Sequence, residues 1–307
     1  MKILLDITHL PQINFFLNAA KIFKEKNHEV IIICLNRGKN YAIAKKEFKD
    51  FQIFPIGTHR GNKLSIVFQA NLLRFFQIFL FCCKNKFDIG LSVGFLLGSV
   101  CTILGKPNLQ FNDDSERKIR YLQFITASEL YFPFFFKNPK VKNFNCLKEW
   151  AYLSPKYFSP IKSSLNTYNL KIKEYIFIRE VNNKTLNYIG QDKDIILSIA
   201  DKIDCKYQIV LSLENKFNAN LYPSSWIILN EPVENIHSLM YYSKIVISSG
   251  DSMAREGALL GVPSIYCGIR HMKANNIMID KGTLFHINPE NIHDYIIKIS
   301  NSLNVFS

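Results

Sequence analysis

The sequence predicts an α/β protein of two domains, each a parallel sheet with helices on both faces. Three observations lead there. With 307 residues the chain exceeds the usual size of one domain. Short apolar runs alternate with helix-compatible stretches along the first half, and after a segment rich in Pro, Ser and Tyr the alternation begins again. Residues 248–263, SSGDSMAREGALLGVP, read as a small-residue turn after a strand, then a helix, then a stop before another apolar run.

The elements follow in order. Lys2–Ile7 is a predicted strand, followed by a helix from about Pro11 to Lys26 and a strand at His28–Leu35. Phe51–Ile56 is a third strand, and Asn62–Lys86 a long amphipathic stretch. Asp88–Val93 and Pro107–Phe111 are strands on either side of a helix at Phe95–Gly105, and a last strand falls near Val141–Cys146. Tyr152–Asn166 has linker composition, dividing the chain into residues 1–151, a linker 152–170, and residues 171–307. The second domain opens on a strand at Glu174–Ile178, then a helix at Asp192–Lys202 and strands at Tyr207–Leu211 and Ser225–Leu229. A short helix at Ile236–Tyr242 leads to the apolar run Lys244–Ile247, the turn Ser248–Ser252 and a helix at Met253–Leu260, which Gly261 and Pro263 stop. Pro289–Leu303 is a closing helix, with Asn288 placed to cap it. Ligands of such sheets bind beyond the carboxyl ends of the strands, and a two-domain version places its substrate cleft between the halves.

Composition narrows the function. Hydrophobic residues make up 48% of the chain, with 25 Phe and 14 Tyr, ample for two cores. The longest apolar stretch, Leu64–Cys83, is interrupted by Gln69, Asn71, Arg74 and Gln77, which are costly at mid-bilayer. The N-terminal apolar run is too short for a signal peptide. Seven scattered cysteines suit neither a zinc site nor a disulfide framework, so the expected location is cytoplasmic, or at the inner face of the membrane. Of the net charge of +13, residues 1–160 carry +12. Such a field attracts phosphates: an anionic membrane surface, a lipid-linked diphosphate or nucleic acid, the last disfavoured because no recognition signature accompanies it. The aromatic run Tyr131–Lys137 either touches a membrane or packs in the core and linker.

Three segments can carry chemistry. In the turn Ser248–Ser252 a glycine lets backbone N–H groups approach a ligand, and the helix behind favours negative charge. Ser249, Gly250, Asp251 and Ser252 are therefore candidate phosphate ligands, with Arg255 on the same helix. Glu256, one turn in, is placed to reach a ribose diol beside the phosphates. The other reading of the segment is an ordinary β–α turn with a surface glutamate. His9 follows the first strand, where an imidazole can deprotonate an acceptor hydroxyl, and Asp6 either orients it or caps the helix. Asp113, Asp114 and Glu116 follow the fifth predicted strand; they could hold a metal, bind sugar hydroxyls or supply a base, or Asp114 or Ser115 caps a helix starting near Arg117. Arg179 ends the second domain's first strand and either grips a diphosphate or is simply solvated. The other histidines lack ligand spacing, so no metal is expected. Strand one is followed by THLPQIN, without the glycines of a dinucleotide fingerprint.

These residues carry a resemblance. Over KILLDITHLPQINFF, FNDDSE, LKEWAYLSPKYFSP, YIFIREVNN and VENIHSLMYYSKIVISSGDSMAREGALLGVP, the chain resembles a domain-of-unknown-function family of GT-B-like proteins. That family is similar to the peptidoglycan N-acetylglucosaminyltransferase and the non-hydrolysing UDP-GlcNAc 2-epimerases. The resemblance implies two Rossmann-like domains whose parallel sheets face across a cleft. In the transferase a Ser-Gly turn is followed by a glutamate that holds the ribose of UDP and then by Gly-x-Pro, and Ser249-Gly250, Glu256 and Gly261-Val262-Pro263 fall on that pattern. His9 falls on a histidine of the first turn. The chain departs at Asn14, where a second histidine is expected, and lacks the glycines of that turn. A glycosyltransferase is thus expected, moving a sugar from a UDP-linked donor, with no separate cofactor, to a glycan or lipid-linked acceptor. An epimerase acting on the nucleotide-sugar, or a nucleotide-sugar-binding protein without turnover, are the alternatives.

Overall fold

The alternation becomes two parallel sheets. The computed structural model of the chain describes residues 1–58, 68–116, 120–182, 190–203, 206–230 and 233–304. It divides into two units, Met1–Tyr157 and Phe158–Ser307. In the first, β1 (Lys2–Ile7), β2 (Glu29–Asn36), β3 (Gln52–Thr58), β4 (Ile89–Ser92), β5 (Asn108–Phe111), β6 (Glu129–Pro133) and β7 (Lys142–Phe144) form a sheet in the order β3-β2-β1-β4-β5-β6-β7. In the second, β8 (Tyr175–Glu180), β9 (Gln208–Leu213), β10 (Ile227–Ile228), β11 (Ile245–Ser248), β12 (Ser264–Tyr266) and β13 (Leu284–His286) run in the order β10-β9-β8-β11-β12-β13. Every pair is parallel.

The strands read as unbroken apolar runs because helices cover both sheet faces. Along β1, Ile3, Leu5 and Ile7 pack with Ile13, Phe16 and Ala20 of the helix Leu10–Glu25, while Leu4 joins Ile78, Leu97 and Val100 on the other face. In β8, Ile176 and Ile178 face one core, and Tyr175 and Phe177 the other. Burial pushes the thiols of Cys34, Cys82 and Cys101 up to about 12, so these cysteines are core residues rather than nucleophiles.

Several elements differ from expectation. The expected linker does not stand apart. Its first part belongs to the Trp150–Leu153 helix and the turn after it; Asn18 Nδ2 donates to the Ala151 carbonyl at 2.9 Å. Its second part, the 3-10 helix Lys162–Tyr168, buries Leu165 in the second unit's core, and Leu170 follows it there. Glu129–Pro133 is a strand, with Phe132 buried and its ring tilted against that of Phe136, 4.4 Å between centroids, so these two rings of the aromatic run serve packing. Of Asn62–Lys86, residues 62–67 lie outside the described residues; a π-helical turn Phe68–Leu73 leads into the helix Arg74–Lys84. The helix expected at Asp192–Lys202 is a 3-10 helix over Leu197–Lys202. Asn288 makes no side-chain cap bond, and Pro289–Asn291 is a 3-10 turn before the helix Ile292–Asn304. The helix Lys273–Asp280 and strand β13 were not anticipated. Among the described residues no helix is long and apolar enough to cross a membrane.

Candidate functional site

In each sheet the strand order reverses beside the first strand, between β1 and β4 and between β8 and β11. Ligands of open α/β sheets bind outside the carboxyl ends of the strands at such a point. The turn Ser248–Ser252 leaves the carboxyl end of β11 there. Gly257 lets its helix, Asp251–Leu259, lie close on the sheet, since a Cβ would come within 2.5 Å of Ser264 Oγ and 2.9 Å of Val246 Cβ.

The turn is locked from within. Ser248 Oγ donates to the Gly250 carbonyl (2.7 Å) and accepts from Gly250 N (3.0 Å). Ser249 Oγ donates to Glu180 Oε1 (2.5 Å) and accepts from Val181 N (3.0 Å). Gln191 Nε2 donates to the Ser249 carbonyl at 3.1 Å. Both serines are fully buried, so the Ser249 hydroxyl belongs to Glu180 rather than facing a ligand. What the turn offers an anion is the first-turn N–H groups of Ser252 and Met253 and the positive end of the helix Asp251–Leu259.

The charged residues divide between the helix faces. Arg255, expected among the ligands, is buried and clamps the interior: its Nη1 donates to Asp251 Oδ2 (3.0 Å) and Asn275 Oδ1 (2.7 Å), tying this helix to Lys273–Asp280. Asp251 is buried too and also accepts from Arg270 Nη1 at 3.2 Å. Arg270, in the loop after β12, thus adds positive charge at the helix N-terminus, where sequence reasoning had no signal for it. Ser252 and Glu256 share the adjacent face, four residues apart. Glu256 Oε2 lies 3.3 Å from His237 Nε2, on the helix Ile236–Tyr242. His237 had shown no ligand spacing in the sequence; the fold gives it a carboxylate partner. Arg179, expected to grip a diphosphate, instead donates to Ser212 Oγ (2.7 Å) and Glu214 Oε1 (2.9 Å).

Glu180 ends β8 beside Arg179, and no sequence signal marks it. It is buried, accepts from Ser249 Oγ and from Ile196 N (2.5 Å), and lines a pocket of about 190 Å³ with Asn182, Lys193, Asp194, Asn215 and Asn218. Burial is the main cause that raises its carboxyl from 4.5 to about 7; the hydrogen bonds from Ser249 and Ile196 oppose the rise, and Asp194 adds to it. The group that holds the turn Ser248–Ser252 therefore titrates near neutrality.

In the first unit His9 is exposed at the carboxyl end of β1, heading the helix Leu10–Glu25, with Nδ1 3.5 Å from Arg37 Nη1. Asp6 does not orient it. That carboxylate is buried against Arg74, whose Nη1 donates to Asp6 Oδ2 at 3.2 Å while Nη2 meets Oδ1. Beyond β5, Asp113 pairs with Lys148 (2.6 Å), Asp114 N donates to Asn112 Oδ1 (2.9 Å), and Ser115 Oγ donates to Glu116 Oε1 (2.5 Å). The helix start expected near Arg117 lies outside the described residues; the described helix is Arg120–Thr126. Among the described residues no three His, Cys, Asp or Glu side chains gather as metal ligands would.

A family model described as protein of unknown function (DUF354) matches residues 1–303. The chain belongs to the DUF354 family. A curated protein of Methanocaldococcus jannaschii, the uncharacterized protein MJ0665, is 24% identical in an alignment 304 residues long that covers 92% of this chain and 87% of that protein. Among solved structures, MnaA of S. aureus, solved with UDP, is similar with a TM-score of 0.71 and 15% identity, over 97% of this chain and 88% of that one. The UDP-GlcNAc 2-epimerase of Neisseria meningitidis bound to UDP-GlcNAc is similar at 0.70 and 15% identity, over 97% and 91%. The glycosyltransferase VinC in complex with DTDP is similar at 0.63 and 10% identity, over 97% and 91%. At such identities the likeness establishes the fold of the DUF354 chain: two Rossmann-like α/β domains with parallel sheets, of the GT-B kind.

Proposed function

We propose that this DUF354 chain is a GT-B-type glycosyltransferase that moves a sugar from a UDP-linked donor to a glycan or lipid-linked acceptor. The observation that carries the reading is the arrangement at the switch point of the second sheet. There the N-terminus of the helix Asp251–Leu259 carries Arg270 on the Asp251 carboxylate, with Glu256 on the same helix. The diphosphate lies on the first-turn N–H groups of that helix, and the Glu256 carboxylate, backed by His237, accepts from the ribose hydroxyls. The acceptor hydroxyl attacks the anomeric carbon as the bond to the diphosphate breaks. Its proton passes to His9 or to a carboxylate of the Asp113, Asp114 and Glu116 group. Charge developing on the leaving nucleoside diphosphate is stabilised by the helix N-terminus and Arg270.

A Glu256→Ala variant is expected to bind UDP about 10- to 100-fold more weakly, because the ribose diol loses a charge-assisted partner of about 1.5–3 kcal/mol. Isothermal calorimetry checks this, and an unchanged affinity takes Glu256 out of the site.

The epimerase reading is favoured by one observation: the similarity is greater to the UDP-GlcNAc 2-epimerase (TM-score 0.70) than to VinC (0.63). Incubation with UDP-GlcNAc alone separates the two. The transferase reading expects no manno epimer in the product, and donor consumption only when an acceptor extract is added; epimer formed without acceptor overturns it.

A further inference from the structure

Beyond the carboxyl ends of β5 and β7, a pocket of about 710 Å³ opens within the first unit. Its walls are aromatic, with Phe15, Phe111, Tyr131, Phe144, Trp150 and Tyr157 among them. Phe111 and Tyr131 are stacked, 5.4 Å between centroids at 22°, and Phe15 meets Phe111 edge-on at 5.4 Å. Glu129 Oε2 accepts from the Tyr131 hydroxyl at 2.5 Å, so the polar end of that ring is already engaged. Trp150 and Tyr157 each stay 40% exposed, a large apolar area to leave in water. Size and character match small-molecule sites, which are mostly apolar with a few placed polar groups.

Among the polar groups here, beside Ser154 and the tyrosine hydroxyls, two are cationic. Lys148 lines the pocket and bridges to Asp113 at 2.6 Å, and the exposed Lys156 holds its ammonium 5.2 Å from the Tyr157 ring centroid. The surrounding residues 1–160 carry +12 of the chain's +13 charge. An apolar chamber with lysines on its wall, in a strongly positive unit, fits an amphiphile with an anionic head better than a neutral one. Through Lys148 the chamber also adjoins the acidic group after β5.

We propose that this pocket binds the acceptor, an aliphatic amphiphile with a phosphate head, its tail among the aromatic rings and its phosphate against Lys148 and Lys156. The assignment as acceptor rests on the glycosyltransferase reading; the binding chemistry stands on the pocket alone. It places the acceptor beside Asp113, one of the candidate bases.

The chain has two tryptophans, and Trp226 lies in the second unit, 8% exposed. In a Trp226→Phe variant the emission of Trp150 therefore reports on the pocket. Decyl phosphate, titrated below its micelle concentration, is expected to change that emission saturably and to bind about three- to tenfold more tightly than decanol. Inorganic phosphate is expected to give no change. Ala151→Phe, which fills the pocket, should abolish the response, and the surface variant Lys156→Met should reduce the advantage over decanol. No saturable response to decyl phosphate, equal affinity for decanol, or an unaltered response in Ala151→Phe of native circular dichroism overturns the proposal. Calorimetry with UDP on the same samples separates the two claims. Decyl phosphate binding without UDP binding overturns the acceptor role and the glycosyltransferase reading together, while UDP binding without decyl phosphate binding overturns the pocket assignment alone.

Discussion

Replacing Asp6 with alanine is expected to lower the unfolding free energy by about 3–5 kcal/mol, because it leaves a buried guanidinium uncompensated. Asp6 and Arg74 are 1% and 0% exposed. Arg74 reaches Asp6 with both terminal nitrogens, and its Nε donates to the Ile56 carbonyl at 2.9 Å. The stem is fixed as well. Gly57, at φ +84, has no Cβ, and one built there would come within 2.7 Å of Arg74 Cγ and Cδ. The pair thus joins β1, β3 and the helix Arg74–Lys84 beneath the first turn. Urea unfolding followed by circular dichroism measures the loss. Replacing both partners, as Asp6→Leu with Arg74→Met, should recover much of it, since the desolvated charges go together. A loss below about 1 kcal/mol in the single variant contradicts this account of the pair.

The second large effect concerns pH. Glu180 titrates at about 7 in the folded chain, against 4.5 ordinarily, chiefly because it is buried. Below 4.5 the group is protonated in both states and stability does not depend on it. Between 4.5 and about 7 the folded state binds the proton and the unfolded state does not, so stability falls as pH rises. Above about 7 both states are ionised and the full cost, about 3 kcal/mol, is present. Glu180→Gln removes that cost. The expected result is that stability of the variant, relative to the parent chain, increases from pH 5 to pH 8 and then levels. Urea unfolding at both pH values checks it, and a difference that stays constant with pH refutes it. Because Glu180 accepts from Ser249 Oγ, its ionisation also bears on the turn that precedes the helix Asp251–Leu259.

The sheets were legible because their strands are unbroken apolar runs, such as VIIICL in β2 and the IVI of β11, bounded by turn residues. Glu129–Pro133 escaped because its aromatics and closing proline resemble loop and linker composition, and the fold supplies the neighbours that make it a strand. The site was legible as positions and not as partners. Nothing in the spacing of REVNN says that Arg179 turns to Ser212 of β9 and to Glu214 just after it, while the next residue, Glu180, meets Ser249. Strand alternation sends adjacent side chains to opposite faces, but which face holds the partner depends on strand order. Likewise Arg255 and Glu256 are neighbours in sequence. One turns inward to Asp251 and Asn275, and the other pairs with His237.

The central claim is that the N-terminus of the helix Asp251–Leu259 receives the donor's diphosphate and Glu256 its ribose. A crystal structure of the chain with UDP bound tests this directly. The expected result is phosphate oxygens on the N–H groups of Ser252 or Met253 and the ribose hydroxyls at Glu256. UDP seated elsewhere, or no UDP bound at millimolar concentration, contradicts it.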